Sequence, residues 1–105
     1  MIRLLTLNQN SEETDVRFEI WSHSISKFEE LVVKQAKNSL MLEADCSVFD
    51  VVHDAADPSV FYLYELYSDR GAFDLHLASD HFKQFDLDAQ PMIARKEVWL
   101  GSKLN

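Results

Sequence analysis

The stretch FYLYELYSDRGAFDLHLASDHF, residues 61–82, gathers the side chains of this chain best suited to moving a proton. Glu65 and Tyr67 fall on an apparent strand, and His76 and His81 on the helical stretch after it. Side chains alternate along a strand, so Phe61, Leu63, Glu65 and Tyr67 share one face and Tyr62, Tyr64 and Leu66 the other. A carboxylate among apolar neighbours is costly unless it is paired or hydrogen-bonded. Glu65 is therefore either a pocket acid or base with a raised pKa, or a structural partner of Arg17 or Lys34. His76 lies beside Leu77 and three residues after Phe73, on the apolar side of its helix, and a lone histidine can carry a proton without a spaced partner. His81 is five positions further on, about 140° around a continuous helix. On that geometry the two histidines cannot chelate one ion as an i, i+4 pair would, and no metal is expected.

Other chemistries lack support. Cys46 is the only cysteine and reads as a small buried hydrophobe rather than a nucleophile. There is no glycine-rich phosphate loop, no C-x-x-C and no serine-nucleophile elbow, so neither flavin, nicotinamide nor any other cofactor is expected. The 18 acidic and 10 basic residues leave a net charge of −8, which repels nucleic-acid backbones and anionic membranes. MIRLLTLNQN lacks the longer apolar core of a signal peptide, and a cytoplasmic location is expected. Trp21, Phe49, Trp99 and the tyrosines could line a cavity for a flat ligand, or simply pack.

The elements that must position these groups follow from periodicity. At 105 residues, 47% of them hydrophobic, the chain is one domain. VRFEIW (16–21) alternates as a strand, whereas NQNSEETD (8–15) looks like loop after a short strand at 2–7. SISKFEELVVKQAKNSLMLEA is helical, with Ser26 and Glu29 spaced as a capping box. CSVFDVVH (46–53) and VFYLYELY (60–67) are strands around the turn DAADPS. Ser68 and Asp69 cap a helix that breaks and restarts at Ser79–Asp80 and stops before Pro91; ARKEVWLG (94–101) is the last strand. The order β-α-β-β-α-β predicts an α+β, ferredoxin-like fold over 16–101, an antiparallel sheet with its helices on one face. Tyr62, Tyr64 and Leu66 would then lie on the outer face, which predicts a homodimer formed through that face.

The same stretch resembles the signature of the antibiotic biosynthesis monooxygenase superfamily: Glu65-Leu66-Tyr67, the turn Ser68-Asp69, Ala72-Phe73 with His76, and Ser79-Asp80-His81-Phe82. The resemblance implies a dimeric α+β barrel with a cavity between sheet and helices in each subunit. It also implies a cofactor-independent monooxygenase acting on a small phenol or quinol. His76, Glu65 and Tyr67 would be the catalytic groups, with His81, Phe73, Phe82 and Trp21 around the substrate. Two departures stand out. Family monooxygenases often carry Trp where this chain has Tyr67, and the haem-degrading branch needs an axial histidine where this chain has Asp86. Tyr67 with His76 and His81 is closer to the branch that isomerises phosphorylated breakdown products of autoinducer-2, which would need Arg17, Lys34 or Arg95 at the cavity. A non-catalytic dimeric module that binds a small apolar molecule is the alternative outside enzymes.

Overall fold

The computed structural model describes residues 11–105. Four strands form one antiparallel sheet: β1 (Glu12–Ile20), β2 (Cys46–His53), β3 (Val60–Tyr67) and β4 (Ile93–Gly101), in the order β2-β3-β1-β4. The helices are α1 (Ile25–Leu42), α2 (Arg70–Ala78) and α3 (Asp80–Ala89). Each crossover skips one strand, which gives the expected ferredoxin-like α+β arrangement. None of the helices in the described residues is long and apolar enough to cross a membrane.

The core lies between the inner sheet face and the helices. Phe28 of α1 is its centre, with ring centroids 5.0 Å from both Phe18 and Phe61 and 6.2 Å from Phe85. Register aligns the inner-face residues in rows across the sheet. Phe49, Glu65, Thr14 and Leu100 form one row, and Val51, Leu63, Val16 and Val98 the next.

Three expectations are corrected. β1 begins at Glu12, so residues 12–15 of the supposed loop are strand, with Glu12 and Thr14 turned inward and Glu13 and Asp15 outward. Their polarity hid the alternation, because the inward positions at this end of the strand are polar too. The strand expected at 2–7 lies outside the described residues. The Ser26–Glu29 capping box does not form; a 3-10 turn over Ser22–Ser24 leads into α1, and no side chain caps it. Finally, the outer face is less apolar than β3 suggested. Its aromatic row is flanked on β1 by Glu13, Asp15, Arg17 and Glu19, and Arg17 pairs there with Glu19 and Glu97.

The junction between α2 and α3 rests on a single side chain. Ser79 is extended, at φ −70° and ψ 149°, and its hydroxyl accepts a hydrogen bond from the Phe82 N–H while donating to the His76 carbonyl at 2.7 Å. It closes one helix and caps the next, as Asp69 caps α2 through the Ala72 N–H. Losing an N-cap side chain costs roughly 1 kcal/mol, so Ser79→Ala should lower stability by about that much. Urea unfolding measures it; an unchanged midpoint would show the junction to be set by packing alone.

Candidate functional site

Glu65 is where the sheet departs from an apolar core. Strand alternation turns it inward between Leu63 and Tyr67, and it is only 4% exposed. The Tyr67 hydroxyl donates to Glu65 Oε1 at 2.6 Å, and the same strand supplies both groups because residues two apart share a face. Burial raises the Glu65 pKa most; the Tyr67 hydrogen bond and the Lys96 ammonium pull it back, and it settles at about 7. Burial, followed by the negative charge of Glu65, pushes the Tyr67 phenol well above its usual range, so it stays a donor.

A cavity of about 240 Å³ opens between the inner sheet face and the helices. Glu65 forms part of its wall with Phe49, Phe73, Phe82, Phe85 and Thr14. Thr14 pairs directly opposite Glu65 across the sheet, and its buried hydroxyl has no hydrogen-bond partner among the described residues. Lys96 is the one cation on the cavity wall. Apart from Glu65, Thr14, Gln35 and Lys96, the wall is apolar, much of it aromatic.

His76 stands behind Glu65, not on the cavity wall. It is enclosed by Phe49, Tyr67, Phe73 and Phe82, at centroid distances of 5.0 to 6.3 Å. Its Nε2 lies 3.9 Å from Glu65 Oε1, and its Nδ1 lies 2.8 Å from Glu43 Oε2. Burial lowers its pKa, outweighing the opposite pull of Glu43, and keeps the ring neutral at pH 7. His81 reaches the same Glu43 oxygen from α3, with Nε2 2.8 Å away. A continuous helix would have turned the two histidines apart; the break at Ser79 gives His81 its own direction.

The remaining expected residues are scattered. Phe73 and Phe82 do line the cavity, whereas Trp21 lies beyond the end of β1, half-exposed at 51%, with its backbone N–H donating to the Met92 carbonyl. Trp99 faces outward, paired with Asp15. Arg17, on the outer face, cannot be the partner of Glu65, and Lys34 is exposed on α1, along surface grooves and not on the Glu65 cavity. Cys46 is buried, and burial lifts its thiol to about 12, so it behaves as a hydrophobe.

Sequence reasoning missed Glu43, Gln35, Thr14 and Lys96. Glu43 carried a readable signal: it is the C-cap of α1, and an acid at a helix C-terminus opposes the macrodipole unless a cation or donor compensates. His76 Nδ1 and His81 Nε2 both approach it, each at 2.8 Å.

Residues 15–86 match the family model for antibiotic biosynthesis monooxygenase. The chain belongs to that family. The antibiotic biosynthesis monooxygenase fold recurs in solved structures. One is a protein of Nitrosomonas europaea whose name assigns it provisionally to the family, at 22% identity and TM-score 0.87 over 91% of this chain and 92% of that one. A Caulobacter crescentus protein, named with the same provision, matches at 17% identity and TM-score 0.87 over the whole of both chains. A conserved Methanosarcina mazei protein matches at 18% identity and TM-score 0.85 over 95% and 99%. At such identities the likeness establishes the fold.

The raised Glu65 pKa fixes a pH dependence. An unfolded chain ionises this group near 4.5, whereas the fold keeps it protonated up to about 7. The stability contributed by the protonated form is therefore complete below the lower value and lost as pH rises through the upper one. Relative to Glu65→Gln, the natural protein should lose on the order of 3 kcal/mol between about pH 4 and about pH 8. Urea unfolding of both at the two pH values checks this; parallel behaviour would refute the burial effect.

Proposed function

We propose that this protein is a monooxygenase of small phenols or quinols in which Glu65 deprotonates a substrate held in the cavity and the resulting anion reacts with dioxygen. One observation carries the reading: a carboxylate on the wall of an aromatic cavity, tuned close to neutrality and oriented by Tyr67. A general base works best when its pKa lies near the operating pH. Tyr67 engages Oε1, which leaves Oε2 for the substrate hydroxyl. The aromatic lining withholds water from the anion. The volume lies below the roughly 300 Å³ at which drug-sized sites begin, which suits a compact ring system.

The step balances without an external reductant. The substrate anion gives one electron to dioxygen, and the radical pair closes a carbon–oxygen bond to form a peroxide anion. Protonated Glu65 returns its proton to that peroxide. Loss of the ring C–H proton with O–O cleavage then leaves a carbonyl and hydroxide, which takes up that proton. One oxygen atom stays on carbon, the other leaves as water, and the substrate supplies all four electrons. His76, expected as a base from sequence, has the role of a positioning residue behind Glu65.

Lys96 favours a second reading. As the single cation on the cavity wall it could bind a phosphorylated dicarbonyl, with Glu65 moving a proton beside the carbonyl as an isomerase. Both readings include a homodimer. Val98, Trp99 and Leu100 of the edge strand β4 are each about half-exposed, on both faces, and a second copy covering them would remove an apolar strand edge from water. Sedimentation at micromolar concentration should return twice the chain mass; a monomer would end that part of the proposal.

Oxygen uptake with reduced menadione or naphthohydroquinone tests the oxygenase. The natural protein should exceed the spontaneous rate, with one atom of labelled dioxygen in the product. Glu65→Gln should lower the catalysed rate by roughly 10²- to 10⁴-fold. The value of kcat/KM should rise as pH passes through about 7. Uptake indifferent to Glu65→Gln would reject Glu65 as the base.

A further inference from the structure

We propose that Glu43 Oε2, His76 Nδ1 and His81 Nε2 form a binding site for a divalent first-row transition metal ion, at the meeting point of the α1 C-terminus, α2 and α3. The three side chains offer ligand atoms within 4.8 Å of one another, and each nitrogen is 2.8 Å from the same carboxylate oxygen. Adjacent ligands of a six-coordinate ion, with bonds of about 2.1 Å, stand roughly 3 Å apart, so both short edges suit an ion that takes each histidine beside the carboxylate.

A hydrogen-bonded His–Glu–His cluster would place the same residues together, and the hydrogen bonds around His81 limit it to a doubly protonated ring. Ser39 donates its hydroxyl proton to the Gln35 carbonyl at 2.9 Å, so its oxygen is left to accept from Gln35 Nε2 at 3.4 Å. That fixes the amide with Oε1 towards His81 Nδ1, 3.3 Å away. An amide oxygen only accepts, so His81 Nδ1 carries a proton. Its Nε2 lies 2.8 Å from a carboxylate oxygen and is buried without a hydrogen-bond partner among the described residues. Two lone pairs at that distance repel, so either a metal ion or a second ring proton lies between them, and imidazole 15N shifts separate the two.

The outer nitrogens complete the pattern. Metal-bound histidines usually present their other ring nitrogen to a carboxylate or carbonyl. His81 Nδ1 faces the Gln35 amide oxygen, and His76 Nε2 faces Glu65, 3.9 Å away. With an ion on Nδ1, a neutral His76 ring carries its proton on Nε2, towards Glu65. A path for the ion exists as well. His81 also lines a surface groove whose charged members are Asp80, Asp88 and Lys34, and the chain carries a net charge of −8. None of the three ligands lines the Glu65 cavity, so the site lies outside it and adjoins it only through His76.

The test uses the full chain, stripped with a chelator, dialysed, and titrated with Co2+ by absorption and with Zn2+ by calorimetry. The expected result is one saturable ion per chain, a higher melting midpoint with the ion, and at least 100-fold weaker binding in Glu43→Gln and His81→Ala. His81 is at the groove and Glu43→Gln is conservative, so both variants should fold, which circular dichroism verifies. His23→Ala/His53→Ala, which removes the exposed histidines, should bind as the natural protein does. No saturable binding, with imidazole 15N shifts showing His81 doubly protonated, would overturn the proposal in favour of an ion pair. Binding unchanged in His81→Ala would overturn it equally. Neither readout is oxygen uptake, so failure of the Glu65 reaction and failure of metal binding are told apart.

Discussion

A carboxylate inside an aromatic core has to be solvated by something other than water, and Glu65 imposes that requirement on everything around it. Its position is not negotiable locally: strand alternation turns it inward between Leu63 and Tyr67, and register sets Phe49 and Thr14 on either side. Tyr67 answers with a short hydrogen bond and Lys96 with a nearby positive charge. Neither satisfies the group fully, and the residual effect of burial leaves it near neutrality rather than permanently charged. A fully paired Glu65 would be a better structural element and a poorer base.

The helices meet that requirement from the other side. Had residues 70–89 formed one continuous helix, His76 and His81 would point in different directions. Ser79 interrupts the helix, returns a hydrogen bond to the His76 carbonyl, and starts a new one whose first turn carries His81 back towards α1. At the same point α1 ends, and Glu43 leaves it in extended conformation. Three element termini thus converge behind the sheet. Termini are where backbone direction changes most sharply, so they can aim side chains that regular elements cannot bring together.

Regular elements were legible in the sequence for the same reason that the termini were not. The strands and helices follow from period-2 and period-3.6 patterns, and so does the inward placement of Glu65, Phe73 and Phe82. Phe28, Leu63 and Phe85 are core for the same reason. The missed features depend on information that periodicity does not carry. β1 started at Glu12 rather than Val16 because its first inward residues, Glu12 and Thr14, are polar. Gln35 and Ser39 sit on the apolar stripe of α1 as a hydrogen-bonded pair, which a hydrophobicity pattern reads as interruptions. The Glu43 contacts link positions 33 and 38 residues apart in the chain, and only the fold brings them together. Trp21 was misplaced by one residue of strand: β1 ends at Ile20, and the chain turns away before the indole could reach the cavity.

His76 makes one unit of the two polar clusters. Its ring carries a nitrogen towards Glu65 and another towards Glu43, each from a different part of the chain, and aromatic rings seal it from solvent. A neutral imidazole has one proton, so the two nitrogens cannot both donate. Whatever engages Nδ1 on the Glu43 side decides whether Glu65 faces a donor or a lone pair. A donor at Nε2 stabilises the ionised carboxylate and lowers its pKa; a lone pair does the opposite. At 3.9 Å that nitrogen is beyond hydrogen-bond reach, so it acts on the carboxylate only through its charge distribution, from a ring enclosed by Tyr67 and Phe82.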